Sequence, residues 1–132
     1  MKRSTRKGKY NASGRHEDGQ WFASSAEADR YLQLKAMEAA GMIERLRCQP
    51  QFVMNINSQR ITVYRADFAY IEIDQERGIA LRSIVEDVKG MITPEYRLKS
   101  KMFRALYQGH DFHEIPARDV PKWEGLIPFH QE

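Results

Sequence analysis

Cysteine is almost missing from this sequence: Cys48 is the single one in 132 residues. That excludes an internal disulfide and a cysteine-based zinc site, and it makes a reducing cytoplasm the natural setting. Cys48 itself reads as a small, half-buried apolar residue. Long apolar runs are lacking too. No stretch approaches the roughly 18 residues of a membrane span, and the basic start has no apolar segment behind it, as a secretory signal would. Acid is missing from residues 1–16, which hold six basic residues: Lys2, Arg3, Arg6, Lys7, Lys9 and Arg15. The rest of the chain carries 15 basic against 18 acidic residues, so the overall +3 averages a basic arm with a mildly acidic body. Such arms bind nucleic acid by neutralising phosphates, or serve only as solvated tails.

A hydrophobic content of 42% with 30% charged residues fits one soluble globular domain of this length. Three parts are expected: a flexible basic arm over residues 1–20, a core over 21–115, and a tail over 116–132 that packs on the core or on a partner subunit. Leu126, Ile127 and Phe129 are among the tail's apolar residues. Residues 24–40 predict a helix with Ser24 as N-cap, Glu27 at capping-box spacing and Gly41 as the stop. A first strand is expected over 42–54, confined to an edge or bulge by Pro50. A long second strand follows over 59–73, then a turn at 74–78 and a third strand over 79–89. Thr93 as N-cap and Pro94 at the first position open a second helix running to about residue 107. Its apolar stripe is read as Leu98, Met102 and Ala105, with Phe103 and Leu106 beside it. A short fourth strand spans 111–115. His110 and His113 fall on opposite faces of it, which argues against a shared zinc.

The fold class expected is therefore α/β (α+β): helix, three meandering strands, helix, strand, with a mixed central sheet flanked by helices. Within it, residues 84–90 carry charge into the end of an apolar strand. Alternation puts Val85, Asp87 and Lys89 on one face and Ile84, Glu86 and Val88 on the other. Asp67 is expected mid-strand on an isoleucine face, where a lone carboxylate is costly. Antiparallel pairing of the second and third strands brings Asp67 toward Asp87 and Lys89. Carboxylates without cysteine suit a hard cation, Mg²⁺ or Mn²⁺, and such ions act on phosphate oxygens. Glu27 is either a further ligand or only a helix cap. Glu86 replaces Asp87 as ligand if the strand is bulged. Arg97, Lys101 and Arg104 form a basic stripe of helical period.

Several segments together carry a family likeness: Lys9-Tyr10-Asn11-Ala12, the run from Gly19 through Ala28, Leu46 through Phe52 with Gln49-Pro50, Ala66-Asp67-Phe68, Val85 through Gly90, and Tyr96-Arg97-Leu98-Lys99. By these the chain resembles the PD-(D/E)XK nuclease superfamily, with its restriction-endonuclease-like core. Within it, the chain is similar to small phage and prophage proteins catalogued under a domain of unknown function, which look like endonuclease I–type Holliday-junction resolvases. The resemblance implies Glu27, Asp67 and Asp87 as metal-shell carboxylates, Lys89 as the water-positioning group, and Mg²⁺ (or Mn²⁺) as cofactor. It implies hydrolysis of DNA phosphodiesters to 5′-phosphate and 3′-hydroxyl ends by a phage- or prophage-encoded cytoplasmic enzyme. Lys7, Lys9, Arg97, Lys99, Lys101 and Arg104 would hold the DNA, and symmetric cutting of a junction implies a homodimer. The competing reading is a non-catalytic module that binds nucleic acid or a phage protein on the same fold.

Overall fold

The structure is a computed structural model that describes residues 14–125. Lys7, Lys9 and the apolar Leu126, Ile127 and Phe129 lie outside the described residues. The two long strands expected over 42–54 and 59–73 form one long antiparallel ladder, and each is broken once. The first becomes β3 (Ile43–Cys48) and β4 (Gln51–Ile56); the second becomes β5 (Gln59–Arg65) and β6 (Phe68–Asp74). The breaks face each other. Pro50 cannot donate to a ladder, and Gln49 before it takes a left-handed φ of 55°. Gln49 N–H donates to the Asp67 carbonyl at 2.8 Å, and Ala66 N–H to the Pro50 carbonyl at 3.1 Å. Asp67 therefore does not sit mid-strand. It occupies a bend between strands, where a carboxylate can turn away from the isoleucine face.

The bend divides the ladder between two sheets. The β4–β5 hairpin stands as its own two-stranded sheet. β3 and β6 join β7 (Ile79–Lys89) and β8 (His110–Pro116) in the order β3-β6-β7-β8. β3–β6 and β6–β7 are antiparallel, while β7–β8 is parallel, so the central sheet is mixed. The β6–β7 turn is closed by Gly78, at φ +70°, whose N–H donates to the Asp74 carbonyl at 2.7 Å. The parallel pair needs a crossover, and the helix over Pro94–Leu106 supplies it.

Two helices cover the two sheet faces. Helix α1 (Ser25–Ala39) has its Ser24 side chain accepting the Glu27 N–H. It packs through Ala28, Tyr31, Leu34 and Met37 on the face carrying Phe68, Tyr70, Ile84 and Val88. Helix α2 (Pro94–Leu106) has Thr93 accepting the Tyr96 N–H and Pro94 at its start. With the β4–β5 hairpin it encloses the face carrying Ala69 and Val85. Phe103 is the hub of that core, its ring 4.8 Å from Phe52 and 5.2 Å from Tyr64.

Three expectations need correction. The arm expected to stay flexible through residue 20 is structured from Arg15: β1 (Arg15–Glu17) and β2 (Gln20–Phe22) form a hairpin, tied to α1 by Arg15 to Asp29 at 2.9 Å. The apolar stripe of α2 is phased differently. Tyr96, Ser100 and Phe103 are the buried residues, while Leu98 is 60% and Leu106 42% exposed. The aromatic rings fill the space beneath the hairpin better than Leu98 would, and they set the helix rotation. The three-strand meander is interrupted, because the β4–β5 hairpin leaves the sheet between its first and second strands. Beyond β8, a 3-10 turn (Ala117–Asp119) places Ala117 and Val120 against the first core, and Gln33 Nε2 donates to the Pro121 carbonyl at 2.8 Å.

Candidate functional site

Strand β7 buries two adjacent carboxylates, Glu86 at 0% and Asp87 at 1% exposure. Alternation sends them to opposite faces. Glu86 points toward α1 and is fully matched there. Arg30 holds it through two parallel hydrogen bonds, Nε to Oε1 at 2.8 Å and Nη2 to Oε2 at 2.6 Å. The Tyr70 hydroxyl donates to the same carboxylate. Burial disfavours the Arg30 charge, yet hydrogen bonding to Glu86 and its negative charge outweigh this and raise the guanidinium pKa. This is a bidentate buried ion pair that completes itself. Glu86, held as the alternative ligand, is thereby turned away from Asp67 and Lys89.

Asp87 points the other way, toward α2. Its Oδ2 accepts from the Tyr64 hydroxyl, carried in by β5. Among the described residues, no arginine is paired with it. Asp67 comes instead: the Asp67 N–H donates to the Glu86 carbonyl at 3.1 Å, and Asp67 Oδ2 accepts the Val88 N–H at 2.7 Å. The bend between β5 and β6 is thus tied across the peptides on either side of Asp87. Glu27 joins from α1. Its backbone N–H is capped by Ser24 and its Oε1 accepts the Ala23 N–H at 3.1 Å, while its carboxylate reaches Asp67. Glu27 is therefore both a helix-end residue and a member of the cluster.

The electrostatics follow from three carboxylates with little positive charge. Burial, then the negative charges of Asp87 and Glu27, push the Asp67 carboxyl up to about 9, against the Val88 N–H that favours its charged form. Burial raises Asp87 as well, opposed by the Tyr64 hydrogen bond and by the Lys89 charge. Lys89 shares the face of Asp87. Its ammonium stands 4.1 Å from the centre of the Tyr96 ring, and it has no ion pair among the described residues. The Tyr96 hydroxyl donates at 2.8 Å to Glu114, which β8 sets opposite Asp87.

Among the described residues, no three His, Cys, Asp or Glu side chains are gathered closely enough to hold one metal ion. Asp67 instead makes side-chain hydrogen bonds with Glu27 and with Asp87. The donor set is nonetheless all oxygen and carries surplus negative charge, which fits a hard divalent cation that takes the proton's place.

Of the basic residues expected to meet DNA, Arg97, Lys101 and Arg104 are exposed on α2. Lys99 is paired with Glu95 at 3.4 Å. His110 and His113 sit beside Ser83 and Glu86, on opposite faces of the sheet. Sequence reasoning missed Tyr64, Tyr96, Glu114 and Arg30. The polar ends of buried tyrosines were a signal that alternation alone reads as core.

The sequence matches the family described as “Protein of unknown function (DUF1064)” over residues 7–118. No curated protein and no solved structure matches the chain.

Proposed function

This chain belongs to the DUF1064 family of proteins of unknown function, and from that premise we propose that it is a metal-dependent endodeoxyribonuclease acting on branched, junction-like DNA. The observation that carries the proposal is the buried acidic cluster: Asp67 and Asp87, with Glu27 beside them, next to the Lys89 ammonium, which rests on the Tyr96 ring and makes no ion pair among the described residues. The order helix, strands, helix, strand around a mixed sheet is what that reading expects of its core, and the β4–β5 hairpin would be an insertion in it. This order supports the reading together with the sequence likeness.

In this reading Asp67 and Asp87 would hold Mg²⁺ or Mn²⁺, with Glu27 beside them as a metal-shell carboxylate. The bound cation would supply charge to a phosphoryl oxygen and lower the pKa of a water. The protein's own groups do the rest. Asp67 gives up its proton on loading, and the Val88 N–H keeps its Oδ2 in place. The Tyr64 hydroxyl orients Asp87. Lys89, resting on the Tyr96 ring, positions the attacking water and meets the charge that develops on the phosphate oxygens. The attacking water would lose a proton to solvent as its oxygen bonds to phosphorus, the bond from phosphorus to the 3′ oxygen would break, and the 3′ oxygen would take a proton from solvent, leaving a 5′-phosphate and a 3′-hydroxyl. Arg97, Lys101 and Arg104 on α2 would hold the backbone without reading its sequence. A junction needs two symmetric cuts, so the working unit is a homodimer. A phage or prophage setting, in recombination or replication, goes with this substrate.

The test is cleavage of a synthetic four-way junction and its matching linear duplex with Mg²⁺, with Mn²⁺ and with EDTA. Paired, metal-dependent cuts on the junction support the proposal. Folded protein that binds the junction and never cuts it would leave the non-catalytic binding module in its place.

A further inference from the structure

We propose that a cleft beside edge strand β3, lined by Arg45, Arg47, Ser83 and His110, binds a backbone phosphate of the nucleic acid. The cleft has a volume of about 320 Å³, and Ala69, Tyr70 and Ile71 complete its lining. It is built by a bulge. Glu44 pairs with Ile71 and Arg47 with Ala69, so β3 carries one extra residue at this point. Arg45 stands there at φ 60°, in the left-handed region. A bulge re-aims side chains at a sheet edge, and here two arginines come to line one concavity.

Their state differs from that of four other arginines around the sheet. Arg15, Arg30, Arg77 and Arg82 each have carboxylate partners. Among the described residues, Arg45 and Arg47 have none, and no carboxylate residue lines the cleft. Glu44 adjoins Arg45 in the chain without lining it. Ser83 Oγ and His110 Nδ1 lie 2.7 Å apart. Whichever of the two donates in that bond, one N–H or O–H is left to give to a ligand. Burial and the Arg47 charge hold His110 below its ordinary pKa, in keeping with a cationic setting. Two unpaired guanidiniums and a neutral donor fit an anion with several acceptor oxygens.

The position favours a polymer over a free phosphate. Ser83 and Asp87 lie four residues apart on β7, on the same face, roughly 13 Å along the strand. That equals about four nucleotides of duplex rise at about 3.4 Å each. The inference rests on the nucleic-acid part of the proposed function and not on its catalytic part.

The experiment measures binding of a labelled four-way junction and a labelled duplex in EDTA at several salt concentrations. It compares the wild-type chain with Arg45→Gln/Arg47→Gln. The double variant should melt like wild type, because both side chains are exposed. It should bind about tenfold more weakly, with a salt slope shallower by roughly two. Unchanged affinity and slope would overturn the inference, even if both proteins cut DNA. Weakened binding in a protein that never cuts would uphold the cleft while removing the nuclease reading. Inorganic phosphate, followed by the His110 NMR signal, tests the source. A phosphate-induced shift in a protein with no affinity for either DNA would make this a small-phosphate site and overturn the backbone assignment.

Discussion

Glu86 and Asp87 are neighbours in sequence, equally buried, and opposite in circumstance. On the α1 side Glu86 meets a guanidinium, a phenol and a complete set of bonds. On the α2 side Asp87 meets a phenol, other carboxylates and the charge of Lys89, and burial, with the neighbouring negative charges, raises the carboxyl pKa values of Asp67 and Asp87. Both carboxylates are buried to the same degree. Glu86 is matched inside the fold by Arg30 and Tyr70, whereas Asp87 has no arginine partner among the described residues. A buried carboxylate alone does not mark a site. What marks it is a buried carboxylate whose neighbours fail to neutralise it.

Mutation should separate the two sides. The largest effect is expected at Arg30→Ala, which strands Glu86 without its partner. A loss of ~3–5 kcal/mol is expected in urea unfolding, with any loss of activity following unfolding. Removing Asp87 or Lys89 should do the reverse. Asp87→Asn and Lys89→Ala should each cut metal-dependent cleavage by about 10²–10³-fold, the scale of losing one preorganised charge, while melting stays near wild type. If Lys89→Ala instead lowered stability as much as Arg30→Ala, the two sides would be equivalent and the comparison would fail.

The pH dependence of stability sharpens the contrast. Asp67 binds its proton more tightly folded than unfolded, its carboxyl moving from 3.8 to about 9. The folded state then holds more protons across that interval, so this group makes stability fall as pH rises from about 4 to about 9. Asp67→Asn removes the titration. Its melting temperature, measured without divalent cation, should exceed wild type by a margin that widens with pH over this range. A margin that shrank with pH would reverse the sign. The smallest effect is expected at Thr93→Ala, which removes the hydroxyl cap of α2 and should cost about 1 kcal/mol in chemical unfolding. Because α2 carries Tyr96 beneath Lys89, a modest drop in cleavage should accompany it.

Much of this was legible in the chain. Strand alternation gave the shared face of Asp87 and Lys89, the turn at Asp74 to Gly78 gave the antiparallel pairing, and Thr93-Pro94 marked the start of α2. The bend at Asp67 was hidden because residues 59–73 alternate as one strand. Only Pro50, on the partner strand, hinted that the ladder must break. Leu98 misled the phase of α2, since helical periodicity cannot tell which apolar residues a neighbouring hairpin will cover. Glu114 was out of reach because the register of a parallel pair depends on the crossover and leaves no local signature. Arg30 was passed over because its partner lies 56 residues away.

If Asp67 and Asp87 form a cation site, loading it must displace the proton that Asp67 holds. Calorimetric titration with Mn²⁺, run in two buffers of different ionisation enthalpy, tests it without relying on turnover. The wild-type chain should bind Mn²⁺ and release close to one proton per ion near neutral pH, as Asp67 ionises. Asp67→Asn should bind more weakly and release none, and Asp87→Asn should bind more weakly as well. No Mn²⁺ binding by folded wild type, or binding and proton release left unchanged in both variants, would contradict the account.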